Sequence, residues 1–443
     1  MRSPKQHRIG ILGISPQASA FALVTLLFVV SVAGAPASQA QTFTVIHTFT
    51  GQGEDGANPY AGLVMDGAGN LYGTTEYGGN GPCRTQYTQG CGTVFKMAPH
   101  GSGWYYLPLY NFQGWASGDG AYPYFGGLTI GPDGSFYGTT LQGGVAGGCA
   151  GSGTCGTVFN VKPSPTRPPS VFSQWTEKVL YSFQQAPDGN FPEGKLAFDS
   201  AGNLYGTTVY GGTYYYYWGT AFELTPSAGG WTETLIHSFG NGNDGEESFS
   251  GLFADQAGNL YGTTFTGGDS YYGTVFQLSK YRSGWTETVV HDFGSDGTRP
   301  YATLISDSAG NLYGSTTDGE INGDAVVFEL SPYNGGWTYS ILHTFPMAHD
   351  GGPAAPLMMD AAGNLYGTTK GQNNPYGSVF KLTPYNGGWV YTLLHQFTHG
   401  ADGANPYSNV VMDAHGNLYG TASAGGSSAY CPGGCGVVWE ITP

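Results

Sequence analysis

The heptapeptide Gly-Asn-Leu-Tyr-Gly-Thr-Thr stands at residues 202–208 and returns, whole or nearly so, six more times. It reads GNLYGTT at 69–75, 258–264 and 363–369, GSFYGTT at 134–140, GNLYGST at 310–316 and GNLYGTA at 416–422. Its tyrosines lie 52 to 68 residues apart. A repeat of this length signals a solenoid, a propeller or an array, whose units bury their apolar faces only against the next copy.

One late copy shows the unit. Leu357-Met358-Met359-Asp360 reads as a short apolar strand and residues 361–363 as a turn. The phrase is a second strand, with Leu365 and Tyr366 on opposite faces. After a Gly-rich loop, residues 377–382 (GSVFKL) make a third, and after a Pro-Tyr-Asn-Gly-Gly turn, residues 389–397 make a fourth. Such runs, bounded by Gly, Pro and Asn, read as strands, and nothing beyond residue 40 keeps a helical period. Four strands per repeat are the pattern of β-propeller blades.

A solenoid is the rival, but it leaves two ends to cap. The chain ends favour a ring. The fourth strand recurs as Trp-x5-His/Tyr-x-Phe at 104–112, 175–183, 231–239, 285–293, 337–345 and 389–397, six copies for seven phrases. Residues 41–49 supply the missing one, ending Val-Ile-His-Thr-Phe, and the chain stops at Pro443 after a third strand. The expectation is an all-β, seven-bladed β-propeller of four-stranded blades over residues 41–443. The N-terminal strand pairs in the last blade and closes the ring, removing an exposed edge.

Residues 1–40 differ from the rest. Arg2, Lys5 and Arg8 precede an apolar run from Phe21 to Val32 and a small-residue stretch ending Ser38-Gln39-Ala40. That is the pattern of a secretory signal peptide cleaved before Gln41. The run is short for a bilayer-spanning helix, which needs about 20 residues. No later segment is long and apolar enough to span, so no membrane span is expected after cleavage.

Cleavage leaves 11 Lys and Arg against 30 Asp and Glu, a net −19. Such a chain repels nucleic acid and disfavours anionic membranes, while it tolerates neutral glycans, cations or basic partners. Six cysteines fall into three close pairs, Cys83/Cys91, Cys149/Cys155 and Cys431/Cys435, each within one loop of one repeat. Sequence alone permits fifteen pairings. In an oxidising compartment position favours the local disulfides.

Two sets of aspartates repeat. Asp66, Asp199, Asp255, Asp307, Asp360 and Asp413 precede the Gly-Asn turn, where a carboxylate caps backbone N–H groups. Asp55, Asp119, Asp188, Asp244, Asp296, Asp350 and Asp402 each precede a glycine after the fourth strand. Seven such loops would ring one mouth of the channel. The repetition favours a structural role, and a hard cation such as calcium is the alternative. No other cofactor is implied. His47, His237, His291, His343 and His395 share one fourth-strand position with Tyr110 and Tyr181. That exchange suits a hydrogen bond to the Asp-Gly loop rather than metal coordination.

The loop between the second and third strands is least regular. It carries Tyr210, Tyr214, Tyr215, Tyr216, Tyr217, Trp218, Tyr271 and Tyr272, and it shares an end of the molecule with the Asp-Gly loops. Exposed aromatics on loops suit a glycan or protein ligand, and packing over the blade ends is the alternative. No GxSxG, HExxH or Walker loop is present. No unique His, Glu or metal cluster is evident to break the repeat symmetry at the channel.

The phrase, followed by Gly-Gly and Gly-Thr-Val-Phe, resembles the GloVer tandem repeat of secreted bacterial proteins of the choice-of-anchor group. The resemblance covers nearly all of residues 41–443. It implies a bacterial, exported repeat protein with no established activity. Members often end in an anchoring segment, whereas this chain ends Glu440-Ile441-Thr442-Pro443, so the expectation is a freely secreted or periplasmic protein. The function expected is a binding module for an extracellular glycan, envelope polymer or protein. A propeller lyase or hydrolase acting at the channel mouth, and a structural adhesion protein, are the alternatives.

Overall fold

The computed structural model describes residues 41–85, 88–145, 154–164, 175–184, 186–213, 218–282, 284–317, 324–346, 351–371 and 376–443. Residues Thr42–Thr442 form one compact unit.

The described residues contain seven four-stranded antiparallel sheets, one per phrase, which are the blades of a propeller. The third blade is typical, with strands Ala197–Phe198, Leu204–Thr208, Thr220–Ser227 and Gly230–Ser238 from the axis outward. The seventh is built from both ends of the chain. Val411–Met412, Leu418–Ala422 and Val437–Thr442 are joined by Thr42–Thr48, in register from Thr42 opposite Thr442 to Thr48 opposite Val437. Ring closure by the N-terminal strand is therefore as the sequence predicts.

The phrase follows from what each residue must do. Leu204 and Tyr205 are both buried because each face of a blade packs on a neighbouring blade. Gly206 lies under the Phe222 ring: a β-carbon there would meet Phe222 Cζ at 2.5 Å and Leu196 Cδ2 at 2.9 Å. The Thr208 hydroxyl bonds the Thr220 hydroxyl across the strand pair at 2.8 Å. Asp199 accepts from Ala201 N and Asn203 N at 2.9 and 2.8 Å and from Asn203 Nδ2 at 2.8 Å, pinning the turn. Its partner oxygen also accepts from Tyr205 Oη at 3.1 Å. The same bonds recur at Asp66, Asp255, Asp307, Asp360 and Asp413. At Asp66, Asp199, Asp307, Asp360 and Asp413 burial pushes the carboxyl up, but the bonds outweigh it and hold it below the ordinary range.

Blades are joined by repeated aromatic pairs. The phenylalanine closing each fourth strand meets the third-strand aromatic of the next blade: Phe183 with Phe222 at 5.1 Å, Phe239 with Phe276 at 5.0 Å, Phe293 with Phe328 at 5.3 Å. Across the closure Phe397 meets Trp439 at 6.3 Å and Phe49 meets Phe95 at 5.3 Å. Edge-to-face contacts at these distances are favourable beyond their buried area. Further out, Trp104, Trp231, Trp285, Trp337 and Trp389 each stand edge-on to the phrase tyrosine of the preceding blade.

A second repeated joint carries the chain toward the axis. Asn58, Tyr122, Phe191, Glu247, Arg299 and Asn405 all have φ between 54° and 59°, a left-handed conformation rare for such side chains. Two backbone bonds hold each one. Phe191 N donates to Cys155 O of the preceding blade at 2.9 Å, and Phe191 O accepts from Val209 N of its own blade at 3.1 Å. The residues that follow turn inward and line the channel.

Candidate functional site

At the end of the propeller bearing the Asp-Gly loops, the repeated carboxylates are fully engaged. Asp188 accepts from Tyr181 Oη, Gln184 N and Gly189 N at 2.9, 2.8 and 2.8 Å. Asp119 does the same with Tyr110 Oη, Gln113 N and Gly120 N. In the histidine copies, His47, His237, His291 and His395 place Nε2 2.8–3.2 Å from Asp55, Asp244, Asp296 and Asp402. Each aspartate thus ties its own fourth strand to its own loop. Burial raises Asp119 and Asp188 above the ordinary carboxylate range, while at Asp55 the bonds from His47 and Thr50 outweigh burial and hold it below. Asp350 lies outside the described residues. Among the described residues no three His, Cys, Asp or Glu converge as for a metal ion.

The aromatic candidates scatter. Tyr214, Tyr215, Tyr216 and Tyr217 lie outside the described residues. Tyr210 pairs with Asn190 in a two-residue ladder and sets its ring edge-on to Phe191 at 5.7 Å. Trp218 covers Gly240 and packs against the core between the third and fourth blades. Tyr272 packs between the fourth and fifth. Tyr271 is 71% exposed.

Two of the three cysteine pairs are seen as local disulfides, Cys83–Cys91 and Cys431–Cys435. Cys155 is disulfide-bonded, and Cys149 lies outside the described residues. Cys83–Cys91 packs into the core between the first and second blades and Cys431–Cys435 into that between the seventh and first, and one cysteine of each lines the same cleft. The Gly51 backbone lies against the second: a β-carbon there would stand 3.2 Å from both Cys431 Sγ and Cys435 Sγ. Between the clamped loops lies a cleft of about 750 Å³. Its lining includes Gln52, Asn80, Gln89, Thr88, Arg84 and Tyr430, the last 67% exposed.

The channel itself is closed by aromatic rings. The second blade's inner segment has one extra residue, Phe125, compared with its counterparts. Its ring meets Tyr124 at 4.0 Å, Tyr301 at 5.1 Å, and Tyr60 and Tyr407 at 5.6 Å each. Phe249 stacks on Tyr301 at 4.7 Å. Into this plug are set two acids that sequence reasoning missed, Glu76 and Glu193. Both are buried, 7% and 8% exposed. Burial pushes Glu76 up to about 7; burial and then the nearby Glu76 push Glu193 up to about 8. Tyr301 Oη lies 3.5 Å from Glu193 Oε2. Lys195, also missed, lines the channel one layer further along, where burial lowers its pKa. The signal was present: aligned on the proline entering each blade, Glu193 replaces Tyr, Phe or Ala, and Lys195 replaces Gly, Thr, Pro or Asn.

These features define a seven-bladed propeller of tandem repeats with a plugged channel and a polar cleft at one blade junction. The chain belongs to the Gloeobacter/Verrucomicrobia repeat family, whose model matches residues 35–234 and 214–438. No curated protein matches the sequence. Among solved structures, a polysaccharide lyase, an ulvan lyase bound to a GlcA(1-4)Rha3S glycan, is similar at TM-score 0.50 and 11% identity, covering 86% of this chain and 93% of that one. A putative oxidoreductase (glucose dehydrogenase) from Thermus thermophilus is similar at TM-score 0.43 and 14% identity, covering 90% and 99%. At such identities the likeness concerns the fold alone. Among the described residues no helix is long and apolar enough to cross a membrane.

Proposed function

We propose that this protein is a secreted glycan-binding module whose site is the cleft between the seventh and first blades. The observation that carries the reading is the composition of that cleft. Gln52, Asn80, Gln89, Thr88 and Arg84 line it together with exposed Tyr430, between two disulfide-clamped loops, and of these Asn80 Nδ2 donates to Glu54 and the Thr88 hydroxyl bonds that of Thr85. Amides present donor and acceptor side by side and suit vicinal sugar hydroxyls, while a phenol ring offers an apolar face to sugar C–H groups. The volume falls in the range of small-ligand sites, about 300–1,000 Å³. The clamps fix the loops before a ligand arrives, which lowers the ordering cost of binding. Arg84 adds a positive charge in an acidic protein and favours a uronate or sulfated sugar over a basic one. The apolar run of residues 1–40 and the disulfides support export.

A catalytic reading would centre on Glu193 and Tyr301, a carboxyl able to exchange a proton near neutral pH beside a phenol. The cavity they line measures about 40 Å³. That is room for a few waters rather than a sugar ring, so this reading requires the aromatic plug to move.

The test is retention of the purified protein on a panel of insoluble polysaccharides and peptidoglycan, with and without calcium. Tyr430→Ala and Asn80→Ala should each weaken retention about tenfold, the cost of losing about 1.4 kcal/mol, with the melting temperature unchanged. Retention unaffected by either change argues against the cleft. Loss on replacing residues 214–218 instead would move the site to that loop.

A further inference from the structure

The other end of the channel carries a separate feature. Beyond the aromatic plug, at the end bearing the Gly-Asn turns, the channel opens into a funnel of about 740 Å³. Its wall is apolar, formed by Val64, Ile130, Phe253, Ile305, Met358 and Val411 from six different blades. Its floor is a layer of channel-facing residues. Four of the seven blades contribute glycine or proline there, and the others contribute Lys195, Thr303 and Asn409.

Lys195 is the exception in this layer. Its neighbour Leu196 is buried in the core between the second and third blades, which turns Lys195 to the channel. Among the described residues its ammonium has no hydrogen-bond or ion-pair partner. The residue is only partly buried, so the ammonium meets the funnel's water rather than a protein counter-charge and is open to an anion. Beside it, the Thr303 hydroxyl accepts from Gly251 N at 2.8 Å, which leaves its own proton free to donate. Asn409 Nδ2 makes only long contacts, 3.3 and 3.4 Å, to Leu63 O and Val410 O. The floor therefore presents donors and one positive charge beneath an apolar wall.

We propose that this funnel binds a small amphipathic carboxylate, with its tail against the apolar wall and its carboxylate on the Lys195 ammonium and the Thr303 hydroxyl. The charge complementarity is local. The carboxylates at the rim, Asp360 and Asp413 among them, are held in their turns by hydrogen bonds from Asn364 and Asn417 and stand near solvent, where water and salt screen them. The Lys195 charge sits at the floor and is the one positive group of its layer. Burial already depresses the lysine, and an anion would restore its charged form.

The head group decides the test. Octanoate, octanol and octylammonium share one tail and differ in charge, and their binding to the purified protein is read by titration calorimetry. The expected order is octanoate first, octanol weaker, octylammonium weakest. Lys195→Met should lower octanoate affinity at least tenfold and leave octanol unchanged. A melting temperature equal to or above the parent's shows that the variant is folded. Octylammonium binding as tightly as octanoate would mean that the acidic rim governs the funnel, and overturns the proposal. Equal octanoate binding by parent and variant overturns it as well, and so does no octanoate binding at millimolar concentration.

Discussion

Single positions explain why the repeat is so strict. Gly206 is required by the ring of Phe222, which touches the place a β-carbon would occupy. Gly206→Ala should therefore destabilise the protein by about 1–3 kcal/mol, the usual cost of overpacking, measured by denaturant unfolding. The aspartate of the turn was legible in the sequence, because the Asx turn is a local device whose donors lie within four residues. Glu193 was not. A repeat is read by what its copies share, and Glu193 matters because it departs from them. Its pH behaviour follows from its surroundings. The folded protein favours the neutral acid, so its contribution to stability is full below about 4.5, the unfolded value, and is lost as pH rises through about 8. Glu193→Gln should leave the melting temperature unchanged at pH 5 and raise it by several degrees at pH 9. A parallel fall at both values would show that the carboxylate is stabilising and its environment misread.

At the scale of strands and blades, the junctions fall into two kinds, apart from the closing one, where Phe43 stacks on His395 at 3.6 Å. Where the fourth strand carries a tyrosine two residues after its tryptophan, the ring stacks on the preceding blade's histidine: Tyr106 on His47 at 4.2 Å, Tyr339 on His291 at 4.1 Å, Tyr391 on His343 at 4.5 Å. Where it carries glutamate, two acids meet: Glu177 faces Asp119, Glu233 faces Asp188, and Glu287 faces Asp244. Burial, then the charge of Asp188, pushes Glu233 up to about 7; Glu287 is likewise pushed up to about 7 by burial and Asp244, with His237 opposing. The neutral glutamate belongs to the folded state, so these junctions weaken as pH rises through about 7. Glu233→Gln should raise the melting temperature at pH 8 relative to the parent and change it little at pH 5, by scanning calorimetry. The strands were legible from their spacing and turn residues. The acid pairs were not, because each partner comes from a different repeat and only blade packing brings the two together.

For the whole molecule, closure is the decisive property. The N-terminal strand completes the seventh blade, and Phe49 carries the aromatic chain of contacts on to Phe95. Deleting residues 42–49 should open the ring, expose the edge of Val437–Thr442 and shift the protein toward aggregates, visible by size-exclusion chromatography. The number of blades and the closing strand could be counted from the sequence because both are matters of copy number. The cleft could not, since its walls come from residues 51–53, 79–84, 88–89 and 430–431, brought together only when the ring closes. The two local disulfides were legible, but not that both border one cleft.

Hydrogen–deuterium exchange of the protein with and without an oligosaccharide of the polymer it retains tests the glycan-binding account most directly. The account predicts protection confined to residues 51–53, 79–89 and 430–431. Protection centred on residues 210–218 or 271–272, or no polymer retained at all, would contradict it.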